Sequence, residues 1–108
     1  MNNKGLKFDN DKPQWNLLPL KLLLGIIKVL MFGAKKYSPN SWQKLENGKQ
    51  RYFNALIRYI TAMQNETGEI DLNAIDSESK LPHLWHIQTN AIFLEKFRQQ
   101  NELGERNE

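Results

Sequence analysis

Residues 65–90 read NETGEIDLNAIDSESKLPHLWHIQTN, and this stretch decides how the rest of the chain is interpreted. Its first part is a turn-rich connector that carries five carboxylates, on Glu66, Glu69, Asp71, Asp76 and Glu78. Pro82 then begins a predicted helix, because proline is well tolerated in a first helical turn. Both histidines of the chain, His83 and His86, lie in the first turns of this helix. We therefore expect the chemistry of the protein to be located here.

A first helix is predicted over residues 19–37, where apolar side chains cover nearly the whole circumference. Its polar line consists of Lys21, Lys28 and Lys35, spaced by one heptad. A helix that is apolar almost all round is buried on several sides. We therefore expect this helix to be central in the fold and to form a subunit interface. Gly33 near its end is expected to permit a close helix contact or to begin a C-cap.

Two more helices are predicted, over residues 49–65 and 82–102. The former has apolar residues at helical spacing, and Gly68 is the type of residue that commonly follows a helix end. No stretch alternates with the two-residue period of a β-strand. The sequence therefore predicts an all-α fold, a compact and oligomeric bundle of three main helices. An aromatic loop over residues 36–44 and the acidic connector join these helices.

Length and composition narrow the class of protein. A chain of 108 residues predicts a single domain, here with an N-terminal arm (1–16), a helical core (17–98) and a frayed tail (99–108). The absence of cysteine excludes a disulfide scaffold and Cys-ligated zinc. A net charge of +3 suits a small polyanion better than duplex nucleic acid. Neither a signal peptide nor a membrane span is recognised, so we expect a soluble cytoplasmic protein.

Carboxylates next to helix-borne histidines suggest a site for Mg²⁺ or Mn²⁺, since these ions prefer oxygen ligands and leave room for substrate phosphates. His83 and His86 are three residues apart and so point to one side of their helix. The alternative is an acidic loop that is merely solvated, beside histidines that are structural.

Two further groups of residues have a functional and a structural interpretation. Arg51 and Arg58, one heptad apart on the second helix, either hold phosphate or form a solvated basic face. Tyr37 and Trp42 in the aromatic loop either stack a nucleobase or close the end of the core.

Short motifs cover residues 7–94 in order. They are Lys7-Phe8-Asp9 with Lys12-Pro13, Leu17-Leu18-Pro19, Phe32-Gly33-Ala34-Lys35-Lys36-Tyr37 with Asn40 and Trp42, Arg51-Tyr52 with Ala55 and Arg58, Gly68-Glu69, Asp76 with Glu78-Ser79, and His83-Leu84 with His86 and Asn90. Together they resemble the phage-encoded dATP/dGTP diphosphohydrolase N-terminal domain family, relatives of the MazG-like all-α nucleotide pyrophosphohydrolases.

The resemblance implies a MazG-like helical oligomer that binds a purine dNTP or a signalling nucleotide, in the host cytoplasm if the chain is phage-encoded. Active relatives cleave a nucleoside triphosphate between its α and β phosphates, with Mg²⁺ or Mn²⁺ as cofactor. The implied metal ligands are Glu69, Asp76 and Glu78, and His83 and His86 would hold these ligands or the attacking water. The implied substrate-binding residues are Asp9, Lys12, Lys36, Tyr37, Trp42, Arg51, Arg58 and Asn90.

The chain departs from the family pattern at several positions. In the second helix Asn54 takes the place of an acidic residue and Tyr59 that of a histidine. Lys80 stands where the connector usually has glycine, and residues 70–75 look like an insertion. The paired ExxE helix of the wider MazG-like group is missing. The loss of a carboxylate is expected to weaken metal binding.

Three functions follow as hypotheses. The first is a metal-dependent (deoxy)nucleoside triphosphate pyrophosphohydrolase that releases pyrophosphate and a nucleoside monophosphate. The second is a non-catalytic protein that sequesters a nucleotide, such as a host defence signal. The third is a structural protein whose helices assemble with a partner.

Overall fold

The computed structural model describes residues 11–107, with side chains described up to residue 101. Its three α-helices are α1 (Leu24–Lys36), α2 (Gly48–Ala62) and α3 (His83–Asn107). Short 3-10 helices lie at Trp15–Leu17, Leu20–Leu23 and Ser41–Lys44. In this part of the chain the β-pairing consists of two isolated antiparallel bridges, and there is no strand. The prediction of an all-α bundle with three main helices is confirmed.

The helix ends differ from the predicted ones at the start of α1 and around the connector. α1 begins at Leu24 rather than at residue 19, because residues 20–23 form a 3-10 helix. α2 ends at Ala62 rather than at residue 65, because the N–H groups of Met63 and Gln64 bond back in the tighter 3-10 pattern. The carbonyl of Met63 then accepts a hydrogen bond of 2.8 Å from the N–H of Asp71 in the connector. α3 runs past the predicted end at residue 102 to Asn107, so most of the expected tail is helical.

α3 is the central helix of the described chain, and the prediction that α1 is central is wrong. α3 packs against both α1 and α2, whereas α1 and α2 make few contacts with each other. The polar sequence of α3 does not indicate that the helix is buried. Two of its buried polar side chains donate hydrogen bonds to backbone carbonyls of the same helix. Thr89 is fully buried, and its hydroxyl donates a hydrogen bond of 2.8 Å to the Trp85 carbonyl. Such internal bonds remove most of the cost of burying a polar group.

A glycine brings α1 and α3 into close contact. A Cβ atom at Gly25 would lie 2.4 Å from Cγ of Trp85, so a larger residue would collide with the indole ring. Ile26 and Val29 are buried near this contact. At Gly33 no such neighbour lies within 4 Å, so the close helix contact predicted there occurs at Gly25 instead.

The opposite face of α1 is uncovered in the single chain. We call it the outer face, and it consists of four side chains that are 49–65% exposed: Leu24, Ile27 and Met31 of α1, with Leu20 of the 3-10 helix that precedes it. Leu24, Ile27 and Met31 are spaced three and four residues apart, which places them on one side of α1. None of the described helices combines the length and apolarity needed to cross a membrane.

Candidate functional site

The acidic connector, residues 65–80, is pinned at both ends. An antiparallel bridge joins Gln64 to Ile70, and a second bridge joins Ile75 to Pro82. The N–H of His83 also donates a hydrogen bond of 2.8 Å to the carbonyl of Ala74. The segment between Ile75 and Pro82 is therefore held as a turn directly before α3.

Asp76 organises this turn. Its Oδ2 atom accepts hydrogen bonds from the N–H groups of Ser79 at 2.8 Å and Glu78 at 3.1 Å. Partial burial pushes the pKa of Asp76 upward, but the hydrogen bonds from Ser79 and Glu78 and the nearby His86 outweigh it, so the pKa lies below its ordinary value. Asp76 is thus a carboxylate at neutral pH.

The turn also forces a left-handed backbone at Lys80, which has a φ angle of 62°. Its N–H donates a hydrogen bond of 2.9 Å to the carbonyl of Asp76, which closes the turn. Left-handed backbone is easily adopted by glycine and disfavoured for side chains with a Cβ atom. This geometry accounts for the glycine that the resembled pattern has at this position.

Lys36 joins the end of α1 to the turn. Its Nζ atom lies 2.7 Å from Oε1 of Glu78, and both side chains are solvent-accessible. The hydrogen bond that Lys36 donates to Glu78 is the main reason that the pKa of Lys36 is raised to about 12. Lys36, the predicted phosphate contact, and Glu78, a predicted metal ligand, therefore form an ion pair with each other in the single chain.

His86 is enclosed between the turn and α2. Its Nε2 atom lies 2.7 Å from Oγ of Ser79, and Tyr59 stacks on its ring with centroids 4.5 Å apart. Burial lowers the pKa of His86, although the carboxylate of Asp76 acts in the opposite direction. His86 is therefore mainly neutral at neutral pH, with Ser79 bonded to one ring nitrogen.

These contacts define the connector site: Lys36, Tyr59, Asp76, Glu78, Ser79 and His86. Sequence analysis assigns no role to Ser79 or to the ring of Tyr59. The Asp76-Ser-Glu-Ser79 sequence indicates a turn closed by the aspartate. The sequence does not reveal the contact between Ser79 and His86, because Ser79 lies in the turn before α3, where helical spacing does not apply.

The other histidine, His83, borders the connector site. Its ring centroid is 5.6 Å from that of Tyr59. Its Nδ1 atom is buried and has no hydrogen-bond partner within the described structure. A buried polar atom normally bonds to protein or water, so we expect an internal water molecule at this nitrogen.

The predicted substrate-binding residues of α2 and the aromatic loop have different surroundings. Arg51, Arg58 and Tyr37 are exposed to solvent. Trp42 stacks on Phe93 with ring centroids 4.2 Å apart, so one face of its indole is already covered. For Trp42 the structure favours the interpretation that it closes the core, whereas Tyr37 is open to a ligand.

Three more predicted substrate-binding residues lie elsewhere. Lys12 is exposed and lines a shallow cleft with residues 13–16. Asn90 is buried, and its Nδ2 atom donates a hydrogen bond of 2.7 Å to the His86 carbonyl, so it braces α3 beneath the site. Asp9 lies outside the described residues.

Two of the three predicted metal ligands belong to the connector site, and Glu69 does not share their contacts. Glu69 lies in an earlier turn, where its N–H donates a hydrogen bond of 2.9 Å to Oδ1 of Asn65. Over the described residues, no three His, Asp or Glu side chains are grouped so that they could hold a metal ion. The assignment of Glu69, Asp76 and Glu78 as ligands therefore stays a prediction.

Comparison with known families identifies the chain. The family model described as dATP/dGTP diphosphohydrolase, N-terminal, matches residues 2–106. The chain belongs to this family. No curated protein and no solved structure matches it.

Membership of the dATP/dGTP diphosphohydrolase N-terminal family gives the connector site a context. The family description names a hydrolase of nucleotides, and the match spans the connector and all three helices. Of the departures from the pattern, Tyr59 and Lys80 lie at this site. Tyr59 stacks on His86, Lys80 closes the turn, and Asn54 is an exposed residue of α2.

Proposed function

We propose that the protein is a metal-dependent (deoxy)nucleoside triphosphate pyrophosphohydrolase that acts on purine dNTPs. The observation that carries the proposal is the convergence of a lysine, two carboxylates and a histidine from α1, the connector and α3. These residues are Lys36, Asp76, Glu78 and His86. They are the residue types that phosphoryl transfer needs, in a chain of a diphosphohydrolase family.

Lys36 is the proposed partner of the substrate phosphates. Its ammonium group is charged at neutral pH, and its side chain is accessible to solvent. A triphosphate that binds here exchanges the Glu78 carboxylate for a phosphate oxygen on Lys36. The exchange frees Glu78 at the moment when the substrate arrives.

Asp76 and Glu78 are the proposed carboxylates for Mg²⁺ or Mn²⁺. Mg²⁺ is commonly bound through one or two carboxylates together with substrate phosphates and water, and a two-carboxylate turn fits this mode. When bound, the ion neutralises phosphate charge and lowers the pKa of a water molecule. Glu69 is retained as a candidate for a further ligand.

His86 is the proposed acceptor of a proton from the attacking water. Burial keeps its imidazole neutral, so a ring nitrogen is able to accept a proton. Ser79 and Tyr59 fix the orientation of this ring. We place His83 beside it, with its unpartnered Nδ1 atom as a contact for water.

The test is a panel of nucleotides incubated with the protein and Mn²⁺, with pyrophosphate as the readout. Release from purine dNTPs is expected, and Asp76→Asn and Glu78→Gln should each abolish it while the circular dichroism spectrum stays unchanged. Glu46→Gln, which removes an exposed carboxylate outside the connector, serves as the control. Equal turnover in all four proteins would refute the roles of Asp76 and Glu78.

Arg51 and Arg58 are tested separately by calorimetry with a nucleotide. If they contact phosphates, replacement of either by Ala should weaken binding by about 1.5–3 kcal/mol, the range for a charged hydrogen bond. Unchanged affinity in both variants would favour the solvated basic face.

A second candidate function is sequestration of a nucleotide without cleavage. It is favoured by Asn54, which replaces a carboxylate of the family pattern, and by the lack of a three-ligand metal group among the described residues. Tight nucleotide binding without pyrophosphate release, and no rise of the melting temperature with Mn²⁺, would support it over the enzyme.

A further inference from the structure

The outer face of α1 is an apolar surface bordered by positive charge. Residues 20–36 contain four lysines, Lys21, Lys28, Lys35 and Lys36, and no acidic residue. On α1, Lys28 and Lys35 lie at heptad spacing beside the stripe of Leu24, Ile27 and Met31. Lys21 and Leu20 lie in the 3-10 helix directly before it. A partner for this face must therefore supply apolar side chains and carboxylates together.

The acidic connector has the complementary composition. Residues 65–80 contain five acidic residues and one basic residue, Lys80. Among them stand three apolar side chains that are 57–66% exposed, Ile70, Leu72 and Ile75. The two bridges hold the backbone at Ile70 and at Ile75, and Leu72 lies between these two positions in the chain.

We infer that the outer face of α1 binds the acidic connector of a second copy of this chain. Within one chain the connector already attracts a lysine of α1, since Lys36 pairs with Glu78. The remaining lysines and carboxylates of the two surfaces have opposite charge, which gives the contact its specificity. Pairing of two outer faces with each other is disfavoured, because it would bring lysines against lysines.

The apolar area is sufficient for a stable pair. In a two-fold dimer the contact between outer face and connector is made twice, once in each direction. At roughly 100 Å² for each fully exposed aliphatic side chain, the two contacts bury on the order of 800 Å² of apolar surface. This is about the apolar share of a standard interface of about 1,200–2,000 Å². The interface borders the connector site, because Asp76 and Glu78 belong to the same segment.

A first experiment measures molar mass by light scattering at micromolar concentration. The parent protein should be an oligomer, and Ile27→Glu should be a folded monomer, because Ile27 lies on the outer face. Ile26→Glu should unfold the chain, because Ile26 is only 7% exposed. Ile92→Glu, at an exposed apolar position of α3, is the control that should keep the parent mass. A monomeric parent, or Ile27→Glu with the parent mass, would overturn the inference.

A second experiment identifies the partner surface by charge exchange, with native mass spectrometry as the readout. The chain Lys21→Glu/Lys35→Glu and the chain Glu66→Lys/Asp71→Lys should each be mainly monomeric. An equimolar mixture should form hetero-oligomers, since each reversed surface then meets one of opposite charge. Assembly of the connector variant at the parent mass, or a mixture that stays monomeric, would show that the connector is not the partner. None of these readouts depends on nucleotide cleavage.

Discussion

Replacement of Gly25 by alanine tests how the α1–α3 contact positions the site. The new Cβ atom would lie 2.4–2.5 Å from three atoms of the Trp85 indole, so the ring or the helix must move. Overpacking of this kind costs about 1–3 kcal/mol, whereas alanine in place of glycine within a helix gains about 1 kcal/mol. Gly33→Ala in the same helix should gain the free energy from the higher helix propensity of alanine without a steric cost, because its Cβ atom meets no neighbour within 4 Å.

The difference between these two variants therefore isolates the steric cost. We expect Gly33→Ala to be more stable than Gly25→Ala by about 1–3 kcal/mol in urea unfolding followed by circular dichroism. The measurements must use one protein concentration, since the stability of an assembled protein depends on it. Displacement of α1 should also move Lys36 away from Glu78 and weaken nucleotide binding in Gly25→Ala. Equal urea midpoints for the two variants would refute the packing argument.

Three more predictions concern the turn and His86. Because the pKa of His86 is lowered on folding, the unfolded chain binds more protons below about pH 6.5, so the free energy of unfolding should fall as the pH drops through that value. His86→Gln should flatten this dependence, and a parent protein without a slope there would contradict the prediction. Ser79→Ala should cost about 1–3 kcal/mol in urea unfolding, because the buried ring nitrogen of His86 loses its bond at 2.7 Å. Ser79→Thr, which keeps the hydroxyl, should cost less, and an equal loss in both would point away from that bond. Lys80→Gly should raise the melting temperature through relief of a left-handed backbone worth about 1–2 kcal/mol, and a lower melting temperature would contradict the strain at this residue.

The helices could be predicted from the sequence because their signals are local. Apolar periodicity, Pro82 and Gly68 give the existence and approximate ends of α1, α2 and α3. The end of α2 could not be predicted closely, since it depends on a hydrogen bond between Met63 and Asp71 in the folded connector.

The position of each helix in the bundle was harder to predict than its existence. The apolar circumference of α1 indicates burial on several sides, but it does not say whether its own chain supplies the cover. In α3, Thr89 and Asn90 are buried, although polar residues of this kind are usually found at the surface. Their side chains donate hydrogen bonds to the helix backbone, and the sequence does not show these bonds.

The candidate site could be predicted in part for the same reason. Asp76, Glu78 and His86 are close in sequence to one another, and the structure brings them together. Lys36 reaches them from α1 and Tyr59 from α2, which are tertiary contacts without a local signal. For Tyr59, only the family resemblance drew attention to the position.

The central position of α3 has a consequence for how the chain folds during synthesis. α1 and α2 leave the ribosome before α3 has been made, and few contacts join α1 to α2. The surface of α1 around Gly25 therefore stays uncovered until Trp85 has been made. The surface of α2 around Gly48 likewise stays uncovered until Phe97 has been made. Contacts between such distant residues slow folding and leave apolar surface open to chaperones or to other nascent chains. Folding of this protein is thus expected to be a late, cooperative event that follows the emergence of α3.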